Sequence, residues 1–156
     1  MRLCIQAGQR RGAAAVEFAV LSIPMVLLLA GVWEVGRLID AHNILTNAAR
    51  EGGRQAATGI KSTTQVEDAI KSYCTLNGID ITDISITITN LTEPARIDPR
   101  DAVQLDHYQI TVTLPFANVK WALIPQITPT TTMTVTVDWY SMKDLPLEVT
   151  PDVPVE

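Results

Sequence analysis

Apolar and polar positions divide the chain into three regimes. From Ala13 to Trp33 the sequence is almost continuously apolar, with one ionisable side chain, Glu17, in 21 residues. As a helix rising 1.5 Å per residue this run spans about 31 Å, one bilayer crossing. Past Trp33 the pattern becomes helical and amphipathic. Val35, Leu38, His42, Leu45, Ala49, Gly52 and Ala56 recur at spacings of three and four, while Glu34, Arg37, Asn43, Asn47, Arg50 and Arg54 fall largely elsewhere. The same helix is therefore expected to run on beyond the membrane and to end at Gly59. Its second half is rich in small residues, Ala48, Ala49, Gly52, Gly53, Ala56 and Ala57, which would let another backbone approach closely.

Thr64-Gln65-Val66-Glu67 has the form of a capping box, and Val66, Ile70, Tyr73 and Cys74 mark one face of a second helix over about 64–77, closed by Asn77-Gly78. From Asp80 the period changes to two. Ile84, Ile86 and Ile88 alternate with Ser85, Thr87 and Thr89; Tyr108, Ile110, Val112 and Leu114 repeat the pattern up to Pro115; Met133, Val135, Val137 and Trp139 repeat it again. Between the first two strands, residues 90–100 read as a loop with Pro94 and Pro99. Val119, Trp121, Leu123 and Ile124 lie in a proline-bounded connection between the second and third. They cover an end of the sheet or form a sticky surface. The expected fold class is α+β: a long N-terminal transmembrane helix, a second short helix and a three- to four-stranded antiparallel sheet packed on the long helix. The expected division is 1–12 leader, 13–33 span, 34–59 helical continuation, 60–144 α+β domain and 145–156 tail.

Charge fixes the direction of insertion. Arg2, Arg10 and Arg11 precede Ala13 with no acid among them; without them 9 basic face 17 acidic side chains, a net of −8 where the whole chain carries −5. Basic residues flanking a first span stay in the cytoplasm, so the domain after Trp33 is expected on the far side of the membrane. An acidic exported domain argues against nucleic acid as a partner. A secretory signal peptide fits less well, because the alanines precede the apolar run and Trp33-Glu34 follows it. Cys4 and Cys74 fall on opposite sides of the membrane, which leaves Cys74 as a buried small hydrophobe or an intermolecular bridge.

Catalytic chemistry is scarce. His42 and His107 have no companion ligands at metal spacing, Asp98, Asp101 and Asp106 match no calcium loop, and neither a phosphate loop nor a nucleophile elbow is present. His107 reads as a solvated strand position and the three aspartates as a solvated acidic turn. The expectation is a non-enzyme with no cofactor and no metal.

Glu17 is the exception to an otherwise ordinary anchor. A carboxylate inside a span costs a few kcal/mol and calls for a partner. If the chain is cut after Gly12, Ala13 supplies a free amine, cationic at neutral pH, and Glu17 becomes the fifth residue; the amine of one subunit then answers the acid of the next. A basic leader ending in Gly, a hydrophobic helix with Glu at that position and an adjacent aromatic resemble a type IV prepilin processing site. The stretch RRGAAAVEFAVLSIPMVLLLAGVWEVGRLIDAHNILTNAAREGGRQAATG, from Arg10 to Gly59, is similar to the TadE-like minor pseudopilins of the tight-adherence (Flp) pilus. That family usually has Tyr after the Glu; here Phe18 keeps the ring without the hydroxyl. The resemblance implies cleavage between Gly12 and Ala13 by a prepilin peptidase, with Glu17 and Phe18 recognised during assembly. It also implies other pilins, pilus assembly proteins and the lipid bilayer as partners. Pro24 in mid-span is expected to bend the helix, with Ser22 serving the freed carbonyls. The rival is an uncleaved, anchored binding module whose Glu17 snorkels to the headgroups near Arg10 and Arg11. A membrane-tethered hydrolase is a third class that nothing in the sequence calls for.

Overall fold

The computed structural model describes residues 6–116 and 132–143, with side chains from Gly12 onward. The connection carrying Val119, Trp121, Leu123 and Ile124, the tail from 144 and residues 1–5, Cys4 among them, lie outside the described residues.

Helix α1 spans Gln6–Ala57, 52 residues without a break. It begins inside the segment 1–12 expected as a leader, so residues 6–12 continue the same helix as the apolar run. Helix α2 spans Thr63–Leu76, and strands β1 (Ser85–Asn90), β2 (His107–Pro115) and β3 (Thr132–Tyr140) form one antiparallel sheet in the order β1-β2-β3. A 3-10 turn, Pro99–Asp101, interrupts the loop between β1 and β2. The fold is α+β, with three described strands. Ile86, Val112 and Val135 stand in register across the sheet, as do Ile88, Ile110 and Val137.

The core forms where the small-residue stretch of α1 meets α2 and the inner face of the sheet. Leu45, Ala48, Ala49 and Ala56 of α1, Val66, Ile70 and Cys74 of α2, and Tyr108, Ile110, Val112 and Leu114 of β2 are all fully buried. The buried stripe differs from the expected one at its near end. Ala41 is buried there, while Val35 and His42 are exposed. Counting back from Leu45 in steps of four and three reaches Ala41 and Leu38, which turns the polar imidazole outward. The small residues accommodate side chains, not a second backbone. A Cβ on Gly52 would stand 2.6 Å from Ile70 Cδ1, and one on Gly53 would stand 3.1 Å from Trp139 Cδ1.

Both helix ends are built as the sequence signals them, with one shift of frame. The N-cap of α2 is Ser62: its Oγ accepts from Gln65 N at 3.3 Å, and Gln65 Oε1 accepts from Ser62 N at 3.0 Å. Ser62-x-x-Gln65 and Thr64-x-x-Glu67 both satisfy the capping-box pattern, and the earlier frame wins by adding Thr63 and Thr64 to the helix. At the far end Gly78 adopts φ +77°, Ile79 N–H donates to Cys74 O and Gly78 N–H to Thr75 O, a Schellman closure of two orphan carbonyls. Gly59, φ +66°, ends the approach to α2 in the same left-handed region.

Candidate functional site

Two regions carry functional side chains: the exposed half of α1 and the end of the sheet. Gly12–Ala57 contains the one described helix long and apolar enough to cross a membrane, with a peak window of mean hydropathy 2.2 and none of that window buried by the protein itself. The polar head is fixed to this helix through the Leu38–Ala57 face. The structure therefore defines a class: a single candidate membrane span that continues, unbroken, as the central helix of an α+β head.

Gly12, Ala13, Glu17 and Phe18 all lie on the exposed part of α1, Phe18 with 71% of its surface free. No hydrogen bond or ion pair holds Glu17 among the residues whose side chains are described, so none of these answers its carboxylate. The Gly12–Ala13 bond sits within continuous helix. Pro24 also lies inside α1, where it removes the donor that Val20 O would otherwise receive. Ser22 does not replace it: its Oγ donates to Ala19 O at 2.8 Å. The reason is reach, since a helical serine hydroxyl bonds the carbonyl three or four residues behind it.

At the end of the sheet beside Ala57, where α1 stops, the three aspartates divide into different roles. Asp98 caps the 3-10 turn, accepting from Arg100 N at 2.9 Å, and its side-chain bond to the Arg100 guanidinium holds its carboxyl below the usual range. Asp101 is exposed. Asp106, expected in a solvated turn, is buried: it accepts from Val103 N at 2.9 Å, from Asn90 Nδ2 at 3.3 Å and from Arg96 Nη2 at 3.4 Å. Asn90 is the second half of this hub. Its Oδ1 accepts from Thr92 N and Glu93 N, both at 2.9 Å, and its Nδ2 also donates to Arg96 O at 3.0 Å. Tyr108 Oη donates to the same Arg96 carbonyl at 2.9 Å, and burial pushes its phenol up. No sequence pattern marked this cluster, because its members are 6 and 16 residues apart and meet only through β-pairing.

His107 is half-buried, stacked on Tyr140 with ring centroids 4.7 Å apart, and its Nε2 lies 3.7 Å from Asp138 Oδ1. It is a packed strand position more than a solvated one, because its register partner across β2 and β3 is Tyr140. His42 is exposed. Among the described residues no group of three or more His, Cys, Asp or Glu side chains comes together to hold a metal ion. Cys74 is a free, fully buried thiol, and burial pushes its pKa up.

One open groove, of about 490 Å³, lies between α1 and the end of β3, with Arg50, Gly53 and Ala57 on one side and Val137, Trp139 and Tyr140 on the other. Residues 12–54 match the family model described as TadE-like protein. Over that stretch, the exposed span and the part of the helix that enters the head, the chain is similar to that family. No curated protein and no solved structure matches the chain.

Proposed function

We propose that this protein is a minor pilin or pseudopilin of a tight-adherence (Flp) pilus. In this reading it inserts into the inner membrane with its amino terminus in the cytoplasm, is cut between Gly12 and Ala13 by a prepilin peptidase, and serves as an assembly component. It is the peptidase's substrate and carries no catalytic step of its own. The observation that supports this reading best is the isolation of Glu17, an acid on an exposed apolar helix that no described side chain of its own chain answers. A helix of this length has no route to fold its head back over residue 17, since the head's buried face begins at Ala41, about 36 Å further along the axis. The counter-charge then comes from another molecule, and the Ala13 amine released by cleavage is a cation at the right depth. The TadE-like match over residues 12–54 starts at the glycine before that bond and supports the same assignment.

Amino-terminal sequencing of the membrane-embedded protein tests the cleavage. Ala13 at the start is the expected result, and Met1 at the start favours a permanent anchor. Glu17→Ala makes the span more apolar and is expected to insert normally yet fail to support fibres, scored by electron microscopy of the cells. Normal piliation by that variant would count against the role given to Glu17.

A further inference from the structure

The groove between α1 and β3 is flanked by an open sheet edge. Ser141 N–H donates to Asp106 O, and Leu91 N–H donates to His107 O. Antiparallel bonding alternates along a strand, so these two bonds set the phase of the whole sheet. Val137 and Trp139 spend their backbone groups on β2, whereas Thr134, Thr136, Asp138 and Tyr140 turn theirs to the outer side of β3. Among the described residues no strand pairs with that side. Beside it, Gly53 and Ala57 keep the helix wall low, and Val137 and Trp139 present apolar surface. Two features go beyond an apolar slot. The Trp139 indole N–H has no hydrogen-bond partner although Trp139 is 8% exposed. Arg50 lines the same groove with no ion pair among the described residues, whereas Arg54, one turn on, is held by Glu51.

We infer that this groove is a strand-addition site for an extended, carboxylate-bearing segment of a partner polypeptide. Backbone groups of the segment pair with the edge at Asp138 and Tyr140, and its alternate side chains face α1, apolar ones against Ala57, Val137 and Trp139 and a carboxylate at Arg50. Charge selects the occupant. Asp138 also lines the groove but already accepts from Gln109 Nε2 at 3.0 Å and lies 3.7 Å from His107 Nε2, so Arg50 is the charge left to be met, and its planar fork matches a carboxylate. The inference rests on the assembly reading only for who supplies the segment; the chemistry of the groove stands without it.

The test titrates the full chain in detergent micelles with acetyl-TVTETVT-amide and with acetyl-TVTKTVT-amide, which carry their valines and their one charge on the same strand face, following the Trp139 indole N–H resonance, assigned by its loss in Trp139→Phe. The acidic peptide is expected to shift that resonance and to bind about tenfold tighter than the basic one, the factor of one charge-assisted pair. Arg50→Glu, at an exposed position, is expected to invert the order. No shift with either peptide, or equal affinities for both, overturns the proposal. So does a shift that appears only after residues 144–156 are removed, which would mean the chain fills its own groove, or one produced by protein concentration alone, which would assign the groove to a second copy. A chain that binds the acidic peptide but retains residues 1–12 in cells with normal fibres keeps the groove and loses the pilin reading, so the two fail separately.

Discussion

Gly52 lies against Ile70 so closely that a Cβ on the glycine would stand 2.6 Å from both Cδ1 and Cγ1 of the isoleucine. Ile70 is fully buried, and its branched side chain has no free space to retreat into. Alanine normally gains about 1 kcal/mol over glycine inside a helix, but overpacking a closed core costs about 1–3 kcal/mol. Gly52→Ala is therefore expected to be net destabilising, by about 1 kcal/mol. Gly36→Ala, where a Cβ meets nothing within 4 Å, is expected to be neutral or stabilising. Denaturant unfolding in detergent, compared for the two variants, checks both signs.

Asn90 joins the loop after β1 to Asp106 through four hydrogen bonds, all from a side chain with no exposed surface. Asn90→Ala removes the acceptor of two backbone donors and one bond each from the Arg96 carbonyl, which keeps Tyr108 Oη, and from Asp106, and is expected to cost about 2–3 kcal/mol in the same unfolding measurement. Asn90→Asp is expected to destabilise the protein at neutral pH by setting two carboxylates face to face. Part of the loss should return as the pH falls and one of them takes a proton.

Leu105 has φ +63° and is the only described non-glycine residue in the left-handed region. The turn that holds it is fixed from both sides, because its N–H donates to Ser141 O and Asp106 N–H donates to Val103 O. The side chain is 64% exposed, so little packing offsets the strain. Leu105→Asn keeps the turn with a residue that tolerates this conformation and is expected to raise stability by about 0.5–1 kcal/mol, read as an increase in unfolding midpoint.

Glu51 is held down to about 2 by side-chain hydrogen bonds from Arg54 and Gln55, at 2.7–2.8 Å. Its folded value lies below its unfolded one near 4.5, so the pair contributes fully above about pH 4.5 and the contribution is lost as the pH falls toward 2. The Arg54 side chain is 71% exposed, so solvent screening keeps the contribution of the pair small. Glu51→Gln is expected to flatten the acid limb of the stability profile over that window and to leave the difference unchanged between pH 5 and 8.

How much of this was legible beforehand depended on the range of the interaction. The apolar run, the helical continuation, the cap at Gly78 and the three alternating strands are local patterns, and they returned the α+β architecture with the right elements in the right order. The frame of the α2 cap slipped by two residues because two overlapping tetrapeptides satisfy one pattern. Burial of Asp106 and Asn90 was not legible at all, since polar residues on either side of a proline-containing loop look solvated until β1 and β2 pair and bring them together. The open groove escaped for the same reason: Gly53 and Trp139 are 86 residues apart in the sequence.

The sequence by itself determined that the chain has one segment fit for a bilayer, a single acid near its start, a Gly-Ala bond ahead of that acid and an amphipathic α+β head. These are properties of composition and period, and no contact is needed to state them. Only the tertiary structure decided that α1 already begins at Gln6, that its glycines receive an isoleucine and an indole, and that β3 ends beside an open groove. Each of these depends on which residues, distant along the chain, exclude water from one another, and a one-dimensional pattern holds no record of distance.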